Sequence, residues 1–403
     1  MRLTRFAVSN FKALKEIDFE VGSVNVFVGT NGAGKTSILE ALGILSASVN
    51  EQVDDESLYR RGVRLGTPRV YKSSFKALKR QPNTIGFMVE WSAEDSNYSY
   101  RVNLSNPTEN PESCWSYFSE SLSQDGINIP ELTRGQRPKS VLPHGDGNSF
   151  EVDKYRGILS FYKNTSKTAF ISNLYELFRD YAIYSPSTEC LRGGIADSSQ
   201  KKPIGLHGGR LAEAINDLLS SDMFGTMDAD DLYELLGWVK HIEIGKPLKD
   251  MIPTGVPTPQ RVIQFTDKYM KDSDGKNRLS SYDASEGALY VLFVLALSMH
   301  KEGPKAFAID NFDQAMNPRL ARATMKCFCD NIIENDKWVF ITTHNPLVLE
   351  GIDLTNPRIK LFTMDRTPDG FASITQVRTN GGIDSSSLSR LWLSGALGGV
   401  PNL

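Results

Sequence analysis

Hydrophobic and polar positions change period several times along the chain, and each change predicts an element. Residues 23–28, SVNVFV, are a short β-branched run that predicts a buried strand. Residues 37–45, SILEALGIL, place apolar side chains at helical spacing among good helix formers. Upstream, residues 3–19 alternate as two strands, and residues 85–91 and 98–104 alternate as two more. Residues 168–181, 210–220 and 230–240 read as amphipathic helices. Residues 288–299 are apolar throughout and predict a buried helix, while 305–310 (KAFAID) and 339–343 (VFITT) predict buried strands. Residues 359–364 and 372–377 suggest a hairpin, and 388–397 a short helix. Residues 126–153 mix Gly, Pro, Asn and charge and read as loop or flexible insertion. No heptad run of several repeats appears, so no long coiled-coil arm is expected.

Length and composition add bounds. The chain has 403 residues, enough for two or three domains or one large α/β domain with insertions. Its hydrophobic share of 40% and charged share of 23% match an ordinary soluble globular protein. The net charge of −3 gives no overall basic field, so a nucleic-acid contact would need a local patch. Residues 72–80, KSSFKALKR, are one such cluster, and equally a solvated helix face. The four cysteines fit neither a disulfide framework nor a zinc site; Cys327 and Cys329 flank Phe328 as buried helix residues would. The longest apolar run is too short for a bilayer, and the first residues lack a signal-peptide core. The expectation is a reducing, cytoplasmic setting with no membrane partner.

The candidate chemistry starts at residues 29–37, GTNGAGKTS. Gly29, Gly34, Lys35 and Thr36 complete the pattern G-x-x-x-x-G-K-[ST]. A predicted strand before it and a predicted helix after it supply the context that a chance glycine turn lacks. Glycines let backbone N–H groups turn inward around phosphate oxygens, and the helix N-terminus favours an anion. Asn31, Gly32, Ala33, Gly34, Lys35, Thr36 and Ser37 are therefore the candidate ATP-binding residues. Lys35 would reach the β- and γ-phosphates, and the Thr36 hydroxyl would hold Mg²⁺.

N-F-K-x-L-x-x-I at residues 10–17, followed by this loop, resembles the start of RecF/SMC-type ATPases of the ABC class. The resemblance implies an α/β P-loop NTPase fold of ABC-ATPase type, a two-lobed head, with ATP held between two heads. It further implies a signature serine, a Walker B aspartate and a switch histidine, in that order. Ser285 and Gly287 of LSSYDASEGAL are the signature candidates; S-E-G alone would be an ordinary N-cap, but its order and spacing support the role. Asp310, ending KAFAID, is the Walker B candidate and a Mg²⁺ ligand with Thr36. His344, ending the next strand, is the switch candidate that would meet the γ-phosphate or attacking water.

The pattern breaks at one point. Family Walker B strands usually end Asp-Glu, whereas Asp310 is followed by Asn311. An amide is no general base, so Asp313 becomes the substitute candidate and hydrolysis is expected to be slow. Residues 314–319, QAMNPR, resemble a D-loop expected at the head–head interface. The expected division is 1–105 for lobe I, 106–260 for a loop-rich and helical insertion, and 261–403 for lobe II. Arg192 in PSTECLRGG and the group 207–210 are either phosphate contacts or structural pairs. The remaining tail is too short for a TOPRIM nuclease and lacks its acidic clusters. The chain therefore resembles stand-alone OLD-like ATPases of abortive-infection and other antiphage systems. The expected function is an ATP-dependent homodimer that regulates a separately encoded effector, a nuclease or toxin. A RecF-like DNA-binding repair ATPase and a non-hydrolysing nucleotide-dependent scaffold are the alternatives.

Overall fold

The computed structural model describes residues 1–50, 52–135, 140–143, 149–162, 169–199, 201–220, 229–246, 261–378 and 385–399. Two six-stranded sheets organise it. The first is antiparallel and runs in the spatial order Leu14–Glu20, Arg2–Phe11, Thr84–Ala93, Ser96–Ser105, Ser116–Gln124, Ile127–Arg134. The second runs Ile183–Tyr184, Ala306–Ile309, Trp338–Thr342, Val24–Gly29, Ile359–Arg366, Ala372–Val377. Its first five strands pair in parallel and the last is antiparallel.

Side chains of a strand alternate between faces, so a strand covered on both sides is apolar throughout. Val24–Gly29 shows this division. Phe27 enters the core between the two sheets, while Val24, Val26 and Val28 enter the core on the far side. Phe340 and Val339 divide in the same way, as do Ala308 and Ile309. The helix Lys35–Asn50 fills the space between the sheets, with every residue except Thr36 buried. Among its buried polar side chains, Ser46 Oγ donates to the Phe178 carbonyl and Asn50 Nδ2 to the Ser46 carbonyl. The apolar helix Glu286–Met299 packs on the far face with Pro318–Glu334.

The parallel sheet makes the loop geometry obligatory. At Gly29 the backbone has φ of +150°, and a Cβ there would lie 2.2 Å from the Met364 carbonyl oxygen of the neighbouring strand. Gly34 has φ of +107°, at the turn into the helix. Only glycine meets both demands without strain.

The sequence expectation fails in three places. Residues 126–153 are not merely loop: Ile127–Arg134, Ser140–Pro143 and Ser149–Val152 are strands, and the first of them extends the antiparallel sheet. With Ser116–Gln124, that extension carries the sheet past the expected lobe boundary at residue 105. The helix expected over 230–240 stops at Leu236, Gly237 takes φ of +70°, and Val239–Gly245 is a strand. Within the expected insertion, 106–260, the strand Ile183–Tyr184 joins the edge of the second sheet. The other helices form as Ala169–Phe178 and Leu211–Ser220, and the C-terminal helix is Ser385–Leu393. Residues 163–168 and 247–260 lie outside the described set. Among the described residues no helix is long and apolar enough to cross a membrane. Cys329 is buried and Cys327 half-buried in Pro318–Glu334.

Candidate functional site

Three parallel strands deliver their C-terminal ends to one cavity. Val24–Gly29 leads into the glycine loop, Ala306–Ile309 into Asp310, and Trp338–Thr342 into His344. Ligands of open parallel sheets collect at this edge. The cavity has a volume of about 590 Å³, and Asn31, Gly32, Gly34, Lys35, Thr36 and Ser37 line it. Asp310, Asn311 and His344 form another wall. Ala33 is fully buried, and its N–H is 3.2 Å from the Thr30 carbonyl.

Lys35 is 6% exposed, and its ammonium donates to the carbonyls of Gly29 at 2.7 Å and Thr30 at 2.9 Å. Burial pushes its pKa down to about 8, partly opposed by the charge of Asp310. The Thr36 hydroxyl lies 3.1 Å from Asp310 Oδ2. The Thr342 hydroxyl donates to Asp310 Oδ1 at 2.5 Å, fixing the carboxylate beside the threonine of the loop. Thr36 and Asp310 are a hard-oxygen pair, the donor type that suits Mg²⁺. His344 is held neutral near pH 7: burial lowers its pKa first, Lys35 adds to that, and Asp313 and Asp310 oppose it.

Asn311 sits at φ of +59°, its N–H donating to Thr342 Oγ1 at 2.9 Å. Left-handed backbone is commonest for Asn and Asp among non-glycine residues, which suits this one. Asp313 lies further round the same turn and accepts from Thr343 Oγ1 at 2.6 Å. Among the residues lining the cavity, Asn311 is present and Asp313 is absent.

Ser285 and Gly287 lie elsewhere. The short strand Arg278–Ser280 leads to Ser285, the N-cap of Glu286–Met299. Ser285 is exposed, and its side chain makes no capping bond, so the hydroxyl is not committed to its own helix. A Cβ at Gly287 would lie 3.1 Å from the Ala315 carbonyl, so the helix end packs closely on the 314–319 turn. Ser285, Asn317 and Arg319 line a second cavity of about 740 Å³, with Trp238 and Leu320. None of the residues lining it also lines the Lys35 cavity.

Arg192 packs against the segment before Ser285: its carbonyl accepts from Ser281 Oγ at 3.2 Å, and its guanidinium is 3.5 Å from the Ala284 carbonyl. His207 Nδ1 is 2.8 Å from the Ser185 carbonyl, and Asp197 accepts from the His207 N–H, so that group braces the chain leaving the strand Ile183–Tyr184. In the 72–80 cluster Lys72 is buried and donates to the Asn106 carbonyl, and the segment is turns rather than a helix face. The Lys72 ammonium is thus committed to a backbone carbonyl, although the residue also lines the Lys35 cavity.

Several lining residues escaped the sequence reading. Lys12, Arg64, Arg69 and Arg366 add positive charge to the cavity wall. Arg366 donates to the Gly32 carbonyl at 2.7 Å, and its guanidinium lies 5.6 Å from the Phe75 ring centre. Lys12 stands in the recognised N-F-K stretch, but nothing local marks Arg64 or Arg366 because the sheets bring them in from distant segments.

A family described as "AAA domain, putative AbiEii toxin, Type IV TA system" matches residues 24–350. The RecF DNA replication and repair protein of Leifsonia xyli subsp. xyli is 40% identical over 72 residues, 17% of this chain and 18% of that protein. An OLD nuclease of Thermus scotoductus is 45% identical over 47 residues, 12% of this chain and 9% of that one. The Rad50 double-strand break repair ATPase of Saccharolobus solfataricus is 33% identical over 78 residues, 19% of this chain and 9% of that one. The matched stretches thus span less than a fifth of each relative's length. Among solved structures, the Smc head bound to the C-winged helix domain of ScpA shares the fold, with a TM-score of 0.55 at 10% identity. That likeness covers 94% of this chain and 98% of the Smc head chain.

Proposed function

The chain belongs to the AbiEii-type AAA domain family, within the RecF/SMC/OLD-like ABC-class ATPases, and from that premise we propose that two copies close around two MgATP molecules. In this reading Asn31 to Ser37 cradle the phosphates, and Lys35 pairs with the β- and γ-phosphates. Thr36 and Asp310 would hold Mg²⁺, whose charge would offset that developing on the phosphoryl oxygens. His344, neutral at pH 7, offers an N–H or a lone pair to the γ-phosphate or the attacking water. Ser285 and Gly287 of the partner copy cap the γ-phosphate from the other side. Closure then holds or releases a separately encoded effector of antiphage defence.

One observation carries the reading: the cavity with Lys35, Thr36, Asp310 and His344 contains no residue of the Ser285 helix end. Each copy therefore carries two half-sites that a two-fold axis can complete. Mixing Lys35→Ala protein with Ser285→Arg protein tests it through phosphate release. Each variant alone is expected to be inactive. The mixture should recover about a quarter of wild-type turnover, since about half the dimers pair unlike chains and each of those has one intact site. A mixture as silent as its components would mean that Ser285 acts within its own chain, and activity in Ser285→Arg alone would mean that it has no role.

Lys35 also sets a pH dependence. Its pKa of about 8 in the free protein should rise when phosphates pair with it. Below that pH the lysine is already charged and affinity for ATP should be flat. Above it binding requires proton uptake, so affinity should weaken, approaching about tenfold per pH unit. Calorimetry in buffers of different ionisation enthalpy reads the uptake directly; no uptake at pH 9 would contradict the assignment.

A further inference from the structure

Five positions after Lys35, on the same buried helix, Glu40 has a side chain fully shielded from solvent. A carboxylate among apolar neighbours is costly unless its oxygens are paired. Both are paired here. Lys12 Nζ lies 2.5 Å from Oε2, and Arg64 Nε lies 2.7 Å from Oε1. The two cations come from separate segments: Lys12 from the turn between the first two strands, and Arg64 from the loop after the helix Asp55–Tyr59. Both line the Lys35 cavity. The Arg64 side chain gives its Nε to Glu40 and is 67% exposed, so its terminal N–H donors are accessible to a ligand at the cavity it lines. Lys12 also has its ammonium 5.3 Å from the Tyr71 ring centre, a second restraint on its direction.

A carboxylate serving only stability gains nothing from gathering two cations at a phosphate pocket. Replacing such a buried ion group as a whole by apolar side chains is often neutral or stabilising, so stability alone is a weak reason for it. We propose that Glu40 is a positioning residue: it holds Lys12 and Arg64 at the mouth of the cavity, where the pair contacts the polyphosphate of a nucleoside triphosphate. The inference rests on the MgATP reading of this cavity. Glu40 itself touches no phosphate and acts through its partners. The arrangement couples the loop helix to two segments of the first sheet's lobe, so the charge lining the mouth is set as a unit.

The test measures binding of MgATP and of inorganic tripolyphosphate by calorimetry, with melting temperatures alongside. Glu40→Gln keeps the volume and removes the charge. It is expected to weaken both probes about tenfold, the scale of one charge-assisted hydrogen bond. Placed in a Lys12→Ala/Arg64→Ala background, Glu40→Gln should cost nothing further. Unchanged affinity in Glu40→Gln overturns the proposal, and so does an equal loss in both backgrounds, which marks a purely structural residue. If Glu40→Gln does not fold, Arg64→Ala decides, its side chain being largely exposed; wild-type affinity in that variant overturns the proposal. Wild-type protein that binds tripolyphosphate but not MgATP removes the nucleotide reading and leaves this one standing. Wild-type protein that binds neither removes both.

Discussion

Lys35→Ala should bind MgATP at least about 100-fold more weakly than wild type. Hydrogen bonds to charged groups contribute about 1.5–3 kcal/mol each, and a phosphate-bound lysine makes more than one. Its Nζ is already held at the loop, 2.7 Å from one carbonyl and 2.9 Å from the next, so little ordering is left to binding. The fold should not suffer. A nearly buried ammonium is itself a burden, as the fall of its pKa to about 8 indicates, and alanine removes that burden. The melting temperature should therefore hold or rise while calorimetric affinity collapses. A variant that still bound MgATP as wild type would end the nucleotide reading of this loop.

Asn311→Glu should raise phosphate release by about 100-fold, the low end of what a placed general base supplies. Asn311 lines the cavity between Asp310 and the His344 wall, and its amide cannot take a proton from water. A carboxylate one bond longer at the same position can. The gain sits at the low end because the backbone there has φ of +59°, which Asn tolerates better than Glu. Asp313 is the competing base; it does not line the cavity, and its carboxylate accepts from the Thr343 hydroxyl. Single-turnover measurements on Asn311→Glu and Asp313→Ala separate the two. No gain in the first and loss of all turnover in the second would make Asp313 the group that activates water.

What could be read in the sequence was what is local. Gly29 to Ser37 lies between a β-branched strand and an apolar helix, and those short-range signals carry the loop geometry with them. Asp310 and His344 were legible for the same reason, each ending a buried run. The errors have local causes too. The strands in 127–152 are short and interrupted by the glycines and prolines that usually mark loops. Leu236 ends its helix because Gly237 turns the backbone, and the apolar positions of Val239–Gly245 then continue at a different period. The ring of Lys12, Glu40 and Arg64 could not be read at all. Its members are 28 and 24 residues apart and meet only when the sheets have packed.

The parallel sheet also dictates when during synthesis a working pocket can exist. Val24–Gly29 is made near the start, yet its two flanking strands are Trp338–Thr342 and Ile359–Arg366. On the ribosome this strand waits, both edges bare, through more than three-quarters of translation. Contacts so distant in sequence form slowly, and bare apolar edges invite mispairing. A nascent chain of this kind is open to mispairing throughout that wait, and a product ending before Ile359 lacks the strand that flanks its phosphate loop on one side.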